Sequence, residues 1–328
     1  MSATITHVGT DGLVGGVASL ASEHALFSSM LLAIDFTPPS LAAARWAVGN
    51  IAAGAEPILA HVIPFAGPGA GTPAAENMQA REAALAGSLR GFAATLRGGL
   101  SAARIVLHVG RASQGLSDAA VETGAPLIVL GRRGNANRRR VGEPNVTERV
   151  VRGTGASVLV VPEDVVEPPR HVIAAVDDGP FVAAVLGAAS RVAALHGCQL
   201  TLVHVLSPVA GAYDRLIRAA QHLVARGRRH RRPTAPVTPG VLPKQSSPRL
   251  IAMARSAVAN GGTLDVSVGD AAREIAAAAA SRQSPLLVVG LRGADGAPVG
   301  SIGSVARELL ARASVPVLAI TGQARSCD

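Results

Sequence analysis

A set of regularly spaced glycines near the C-terminus has the clearest chemical potential in the sequence. Gly290, Gly293 and Gly303 follow the spacing Gly-x2-Gly-x9-Gly, and Ser304 comes directly after the last of them. Glycine lets a backbone approach a phosphate closely, and a helix is predicted to begin near Ser304. N–H groups at a helix start and the positive end of the helix dipole bind anions. The spacing predicts a phosphate-binding loop with the N–H groups of Gly303 and Ser304 and the Ser304 hydroxyl as donors.

The same residues also have a purely structural interpretation. Glycines commonly follow strands, and Ser304 belongs to the residue types that cap helices. A second, weaker candidate lies in the first half of the chain, which repeats the pattern incompletely. The glycines of the two halves lie 159 residues apart, at positions 110, 131 and 134 and at positions 269, 290 and 293.

The first copy differs from the second at its most demanding positions. Pro144 and Asn145 stand where the second copy has Gly303 and Ser304. Proline has no N–H to offer a phosphate, and its ring fills space that glycine leaves open. Only the second copy is therefore predicted to carry a complete loop. Arg133 and residues 138–140, all arginine, leave open a different mode of anion binding in the first copy.

Five aliphatic runs in each half, separated by helical stretches, have to position these loops. The runs cover 30–34, 57–62, 104–110, 126–131 and 157–161 in the first half, and 172–176, 199–205, 263–269, 285–290 and 316–320 in the second. Continuous aliphatic strands are typical of a parallel sheet covered by helices on both faces. The alternation predicts an α/β fold with two tandem doubly wound domains, at 28–162 and 170–321, after a loose N-terminal extension at 1–27.

The predicted strand ends bring further residues to the same place. Ligands of open parallel sheets bind beyond the carboxyl ends of the strands, where the strand order reverses. Asp177, the loop after Val205, Gly269 and Gly290 lie at such ends, and Arg292 adds positive charge inside the loop. Four segments of the second half are therefore expected to converge on one site.

These residues resemble the universal stress protein family, specifically its ATP-binding branch, whose signature is G-x2-G-x9-G-[S/T]. The resemblance includes Asp35 and Asp177 at the ends of the first strands. It implies a five-stranded sheet in the order 3-2-1-4-5 in each domain, with ATP, alone or with Mg²⁺, at the strand ends. By position, Asp177 and the backbone of Val205 would face the adenosine. The residues that would surround the ribose and phosphates are Gly290, Arg292, Gly293, Gly303, Ser304 and Val305.

The resemblance also implies how the two domains associate. It predicts an intrachain pseudo-dimer through the fifth strands, at 158–161 and 317–320, and leaves open a further homodimer. Both strands are aliphatic edges that would otherwise invite aggregation. A protein partner is expected but not named by the sequence.

The charge of the chain supports a second hypothesis. A net charge of +9 is concentrated in arginine clusters at 132–133 and 138–140 and at 226–232. Basic runs can bind nucleic acid, so the alternative is a structural or nucleic-acid-associated module that uses these clusters without nucleotide. No aromatic side chains are interleaved with the arginines, as single-strand binding would require. A nucleic-acid partner is therefore not expected.

Other features bound the function. The two cysteines, Cys198 and Cys327, are too few for a disulfide framework or a zinc site. The sequence shows neither the pattern of a membrane span nor that of a signal peptide. A cytoplasmic protein is therefore expected. The signatures of serine hydrolases, zinc enzymes and P-loop proteins are missing from the sequence. No catalytic residue or metal ligand is assigned, and at most slow ATP hydrolysis is expected. His61, His108 and His204 are interpreted as structural.

The two halves differ in length between their second and third strands. About sixteen extra residues in the second half fall most naturally within 227–247, which is rich in Arg and Pro. A surface loop without regular structure is predicted there.

Overall fold

The residues that the structure describes form one twelve-stranded sheet covered by helices on both faces. The computed structural model describes residues 2–5, 26–52, 54–64, 75–99, 103–132, 146–206, 234–235, 252, 255–256, 260–291 and 302–321. A short strand, β1 (Ser2–Ile5), comes first. The first repeat then contains β2 (Ser29–Ala33), α1 (Pro38–Asn50), β3 (Glu56–Pro64), α2 (Ala75–Thr95), β4 (Arg104–Gly110), α3 (Ala112–Thr123), β5 (Leu127–Arg132), α4 (Val146–Gly153) and β6 (Ser157–Pro162).

The second repeat follows the same plan. Its elements are β7 (His171–Ala175), α5 (Val182–His196), β8 (Gln199–Leu206), β9 (Thr234–Ala235), β10 (Thr263–Val268), α6 (Ala271–Ala280), β11 (Pro285–Gly290), α7 (Ser304–Arg312) and β12 (Val317–Ile320). Among the described helices, none is both long and apolar enough to cross a membrane.

The strand order confirms the predicted fold class. The sheet runs β4-β3-β2-β5-β6-β12-β11-β7-β8-β10-β1-β9. Within each repeat this order is 3-2-1-4-5, and the strands of each repeat are parallel to one another. The strand order therefore reverses between β2 and β5 in the first repeat and between β7 and β11 in the second.

The fifth strands join the two repeats, as the sequence predicts. β6 and β12 pair antiparallel, with Leu318 opposite Leu159. All described side chains of both strands are buried. Because the pairing is antiparallel, the carboxyl ends of the two sets of parallel strands point in opposite directions.

Aliphatic side chains on the two faces of the sheet form two core layers. One layer lies under α1, α2 and α5, and the other lies under α3, α4, α6 and α7. Local signals set the helix ends: Asp270 Oδ1 accepts a hydrogen bond from the Arg273 N–H at the start of α6, at 2.9 Å. Gly197 ends α5 with φ of 58°, a left-handed conformation that glycine adopts without strain.

The linker between the repeats is fixed to both of them. The Glu167 carbonyl accepts from the indole N–H of Trp46 in the first repeat, at 2.8 Å. The Glu167 carboxylate accepts from the Ser284 hydroxyl in the second repeat, at 2.6 Å. One linker residue therefore connects α1 to the start of β11.

The N-terminal extension corrects one sequence expectation. Residues 1–27 were expected to be loose, but Ser2–Ile5 pairs antiparallel with β10, and β9 pairs with β1 in turn. The edge of β10 presents backbone N–H and C=O groups that an added strand can satisfy. β9 also gives Thr234–Ala235, inside the predicted loop at 227–247, a regular structure; the rest of that loop lies outside the described residues.

A buried polar chain crosses the second repeat where its strands begin. His171 Nε2 lies 2.7 Å from Thr201 Oγ1, which lies 2.7 Å from Thr263 Oγ1. Nearby on β10, Asp265 Oδ2 accepts from the Arg282 guanidinium at 2.9 Å. Burial lowers the pKa of His171 from its usual value of 6.5; the Arg282 charge lowers it further, while Asp265 opposes the shift.

This histidine should make stability depend on pH. Because the pKa of His171 is lower in the folded chain, the unfolded chain binds more protons below about pH 6.5, and the free energy of unfolding should fall as the pH drops through that value. Urea unfolding at pH 7.5 and pH 5.5 would measure the fall. His171→Gln should lose part of this pH dependence; an unchanged dependence in the variant would contradict the assignment.

Candidate functional site

The candidate site lies at the carboxyl ends of β7, β8 and β11, around the point where the strand order of the second repeat reverses. β7 lies between β11 and β8, so Asp177, Gly290 and Val205 follow or end neighbouring strands. Such a reversal opens a crevice between the two central strands because their connections leave in opposite directions. Arg292 and Gly293 lie outside the described residues.

Backbone bonds fix the floor of this crevice. The Val176 N–H donates to the Val203 carbonyl at 2.9 Å, and His204 Nδ1 lies 2.9 Å from the Val176 carbonyl. His204 is 7% exposed. The structural interpretation of His204 is therefore confirmed: its imidazole ties the end of β7 to β8. His61 does the same in the first repeat, with Nδ1 2.7 Å from the Ile34 carbonyl.

His108, the third histidine interpreted as structural, lies on β4. Its Nε2 is 3.3 Å from a carboxylate oxygen of Glu122 at the end of α3. The two side chains bring β4 close to the helix that covers it, although Nε2 forms no hydrogen bond with the described residues.

Asp177 occupies the mouth of the crevice. Its Oδ1 accepts from the Gly179 N–H at 2.8 Å, which closes a tight turn between β7 and α5. The side chain is half-buried. The turn fixes the position of this carboxylate, and its oxygens can accept further hydrogen bonds. Recognition of a ribose hydroxyl or an adenine amino group requires an acceptor of this kind.

The start of α7 forms the other wall. Gly303 is the N-cap residue, with φ of −58° and ψ of 147°, and its carbonyl accepts from the Arg307 N–H at 3.0 Å. Ser304 is exposed, whereas Val305 is half-buried and packs on the core. The first turn of a helix has N–H groups without partners inside the helix, so Ser304 and Val305 direct donors outward.

One predicted donor has a structural task instead. The Gly303 N–H donates to the Leu291 carbonyl at 2.8 Å, and the Leu291 N–H donates to the Ile320 carbonyl at 2.9 Å. These two bonds close the base of the loop against β12. The expectation that the Gly303 N–H is free to serve a phosphate is therefore wrong, and the N–H groups of Ser304 and Val305 are the remaining candidate donors. No signal in the sequence distinguishes these two uses of a glycine N–H.

The glycine of the first repeat that corresponds to Gly290 is Gly131, and it lies in close contact with backbone. A Cβ added to Gly131 would lie 2.3 Å from the carbonyl carbon and oxygen of Pro39, in the first turn of α1. Gly131 is thus required for close packing of α1 on β5, which is the structural interpretation of that glycine. Pro144 and Asn145 lie outside the described residues.

The loop after β2 also differs from its counterpart. Asp35 Oδ1 accepts from both the N–H and the hydroxyl of Thr37, at 3.0 and 2.5 Å. Phe36 has φ of 60° and its ring centroid lies 5.3 Å from that of His61. A left-handed conformation is costly for a bulky residue, so the surrounding structure must hold it. Phe36 therefore places an aromatic ring at the position where the second repeat has Asp178.

Of the two predicted arginine clusters, the structure describes only Arg132. It ends β5, and its counterpart 159 residues later is Leu291. Burial lowers the pKa of the Arg132 guanidinium from its ordinary value, and the charge of Asp164 opposes this shift. The other arginines of these two clusters lie outside the described residues.

Comparison with known proteins agrees with this architecture. The model of the universal stress protein family matches residues 27–162 and again residues 169–321. The chain belongs to the universal stress protein family. Its two copies of the family domain account for the internal repeat.

Solved structures of this family share the tandem fold. A universal stress protein from Archaeoglobus fulgidus aligns with 16% identity and a TM-score of 0.59, over 90% of this chain and 98% of that one. A universal stress protein from Pseudomonas aeruginosa aligns with 16% identity and a TM-score of 0.53, over 90% of this chain and 93% of that one. At these identities the likeness concerns the fold alone. Among the curated proteins, none matches the chain.

Proposed function

We propose that the protein is a regulatory universal stress protein that binds ATP in its C-terminal repeat. Where Mg²⁺ is present, the phosphates of the bound ATP would hold it. Asp177 and the backbone of Val205 would face the adenosine. Gly290, Arg292, Gly293 and the start of α7 would surround the ribose and phosphates. Binding would change the surface that the repeat offers to a protein partner.

The observation that supports this proposal most strongly is the position of the α7 N-terminus. Its outward N–H groups follow β11, and Asp177 follows β7, so donors and a carboxylate flank the point of strand-order reversal. Donors of this kind suit phosphates, and a fixed carboxylate suits hydroxyl or amino groups. A nucleoside phosphate contains both kinds of group within one molecule.

The contrast between the repeats supports binding at one site rather than two. Pro144 and Asn145 stand in the first repeat where the second repeat has Gly303 and Ser304, and a proline has no N–H to offer a phosphate. The first repeat would then serve as a structural partner of the second, joined to it through β6 and β12.

Binding can be tested directly. Mass spectrometry of small molecules released from the purified chain should find adenine nucleotide, and calorimetric titration of the stripped chain with ATP, ADP, AMP and cAMP should give a stoichiometry near one. The second predicted function, a module that acts through its arginine clusters, predicts salt-dependent nucleic-acid binding instead. Absence of any nucleotide binding would refute the proposal.

A further inference from the structure

The first repeat ends in an edge strand whose surface suits pairing with another strand. Of the strands that the structure describes, β4 pairs only with β3. An edge strand presents backbone N–H and C=O groups that can template pairing with another chain. Proteins usually protect such edges with proline, charged side chains or a covering element. β4 has the sequence Arg-Ile-Val-Leu-His-Val-Gly, without proline or lysine, and its arginine stands at the first position of the strand.

The second repeat shows what this strand position accepts. β10 is the counterpart of β4, and its outer side carries β1 in an antiparallel pairing, with Thr4 opposite Asp265 and Ile5 opposite Leu264. The counterparts of those two β10 residues in β4 are Val106 and Ile105. The geometry of the third strand thus accepts an antiparallel strand, and β4 offers a more apolar edge than β10.

One face of β4 carries an aliphatic row. Ile105 and Leu107 are half-buried and pack on the core layer under α1 and α2, whereas Val109 is 47% exposed. Side chains two residues apart in a strand lie on the same face, so these three form one row. A partner strand with a matching aliphatic row would cover the exposed part of the β4 row, which is Val109.

We infer that β4 pairs antiparallel with β4 of a second copy of the chain, centred on Leu107. In this register Leu107 lies opposite its own copy, and Ile105 lies opposite Val109. A two-fold axis requires such self-complementarity, because each contact has to occur twice. Two aliphatic rows then extend each other across the new pair, and cross-strand aliphatic contacts stabilise a sheet.

The charges of the strand are compatible with this pairing. Arg104, at the start of β4, lies opposite Gly110, which has no side chain to repel it. Glu122 at the end of α3 lies 3.8 Å from Arg104 and 3.3 Å from His108. The acidic and basic groups beside the edge therefore face each other within one chain, and no like charges oppose each other directly across the pair.

β4 of a second copy fits this edge better than the N-terminal strand of a second copy. β1 already pairs with β10 and β9 in its own chain, and it has four residues, of which Ala3 and Ile5 are aliphatic. β4 has seven residues with four aliphatic side chains. The longer strand offers more backbone pairs and a larger apolar row.

The first experiment is sedimentation velocity of the full chain from low to high micromolar concentration. A single seven-residue strand pair is a small interface, so reversible dimerisation in the micromolar range is expected. Val109→Lys should weaken dimerisation by about tenfold or more, since each of the two lysines in the dimer would face Ile105 of the other copy. Val166→Lys, at an exposed linker valine, should leave it unchanged. A monomer at every concentration, or a dimer that tolerates Val109→Lys, would overturn the inference.

A second experiment tests the register. A mixture of chains with Ile105→Cys and chains with Val109→Cys should form, on mild oxidation, mainly the mixed disulfide between positions 105 and 109. Peptide mass spectrometry separates it from disulfides to Cys198 or Cys327. Cross-links that mainly join position 105 to 105, or position 109 to 109, would show a different register. Cross-links to the N-terminal strand would show a different partner strand. Either result would refute this pairing. Because β4 belongs to the first repeat, the result is independent of nucleotide binding in the second.

Discussion

Replacing Gly303 by proline should lower the affinity of the C-terminal repeat for ATP more than a hundredfold. Proline fits the observed φ of −58°, so α7 should still begin at Ser304. The ring, however, replaces the N–H that donates to the Leu291 carbonyl at 2.8 Å, and it would collide with that oxygen. The base of the loop then moves away from β12 and carries the donors of Ser304 and Val305 with it.

The magnitude follows from the donors that would be misplaced. A hydrogen bond to a charged group contributes about 1.5–3 kcal/mol, and two such bonds are at stake. At about 1.4 kcal/mol per decade, their loss exceeds two decades in affinity. Calorimetric titration with ATP measures the effect, and circular dichroism shows whether the variant keeps its fold.

Two control variants make this test specific. Gly303→Ala adds a methyl group but keeps the N–H bond to Leu291, so it should weaken binding far less than proline. Pro144→Gly restores the family residue in the first repeat. It should leave the stoichiometry at one, because Asn145 still stands in place of Ser304 and its side chain lacks the hydroxyl donor. Two equal sites in the unmodified chain, or unchanged binding by Gly303→Pro, would refute the assignment.

The sequence predicts the second repeat's strand ends better than the bonds that organise them. Asp177 and Gly290 could be placed because aliphatic runs end there and the topology of doubly wound sheets is restricted. The bond from Gly303 to the Leu291 carbonyl could not, because it depends on the path of a loop between two fixed ends. The strand order 3-2-1-4-5 came from the family resemblance, since periodicity alone does not order strands.

Contacts between distant segments are the main features that the sequence leaves undetermined. Glycine spacing gives Gly131 and Gly290 the same significance, yet Gly131 is needed for the approach of Pro39, which lies far away in the chain. β1 is a similar case. Four residues are too short for a reliable pattern, and their partner β10 follows more than 250 residues later. The strand is explained by its pairing with the edge of β10 rather than by the intrinsic strand propensity of its own residues.

The second large effect should come from the contact that joins the repeats. Leu159 and Leu318 lie directly opposite each other in the β6–β12 pair, and both side chains are fully buried. Changing either to alanine removes buried methyl groups and leaves a cavity, so each variant should lose about 2–5 kcal/mol of the free energy of unfolding. Guanidinium unfolding followed by circular dichroism measures this loss.

Combining the two changes tests whether they share one interface. Because the leucines touch, the double variant should depart from additivity by about 0.5–3 kcal/mol. Leu89→Ala, equally buried but in α2, should add to Leu318→Ala within about 0.5 kcal/mol, since α2 packs on the far strands of the first repeat. Trp46 is the chain's one tryptophan, and its indole contacts the linker. If the repeats unfold as a unit, the fluorescence of Trp46 should therefore change over the same denaturant range as the circular dichroism. Additive losses for Leu159→Ala and Leu318→Ala would mean that the fifth strands do not hold the repeats together in solution. The first repeat could then not serve as the structural partner of the second.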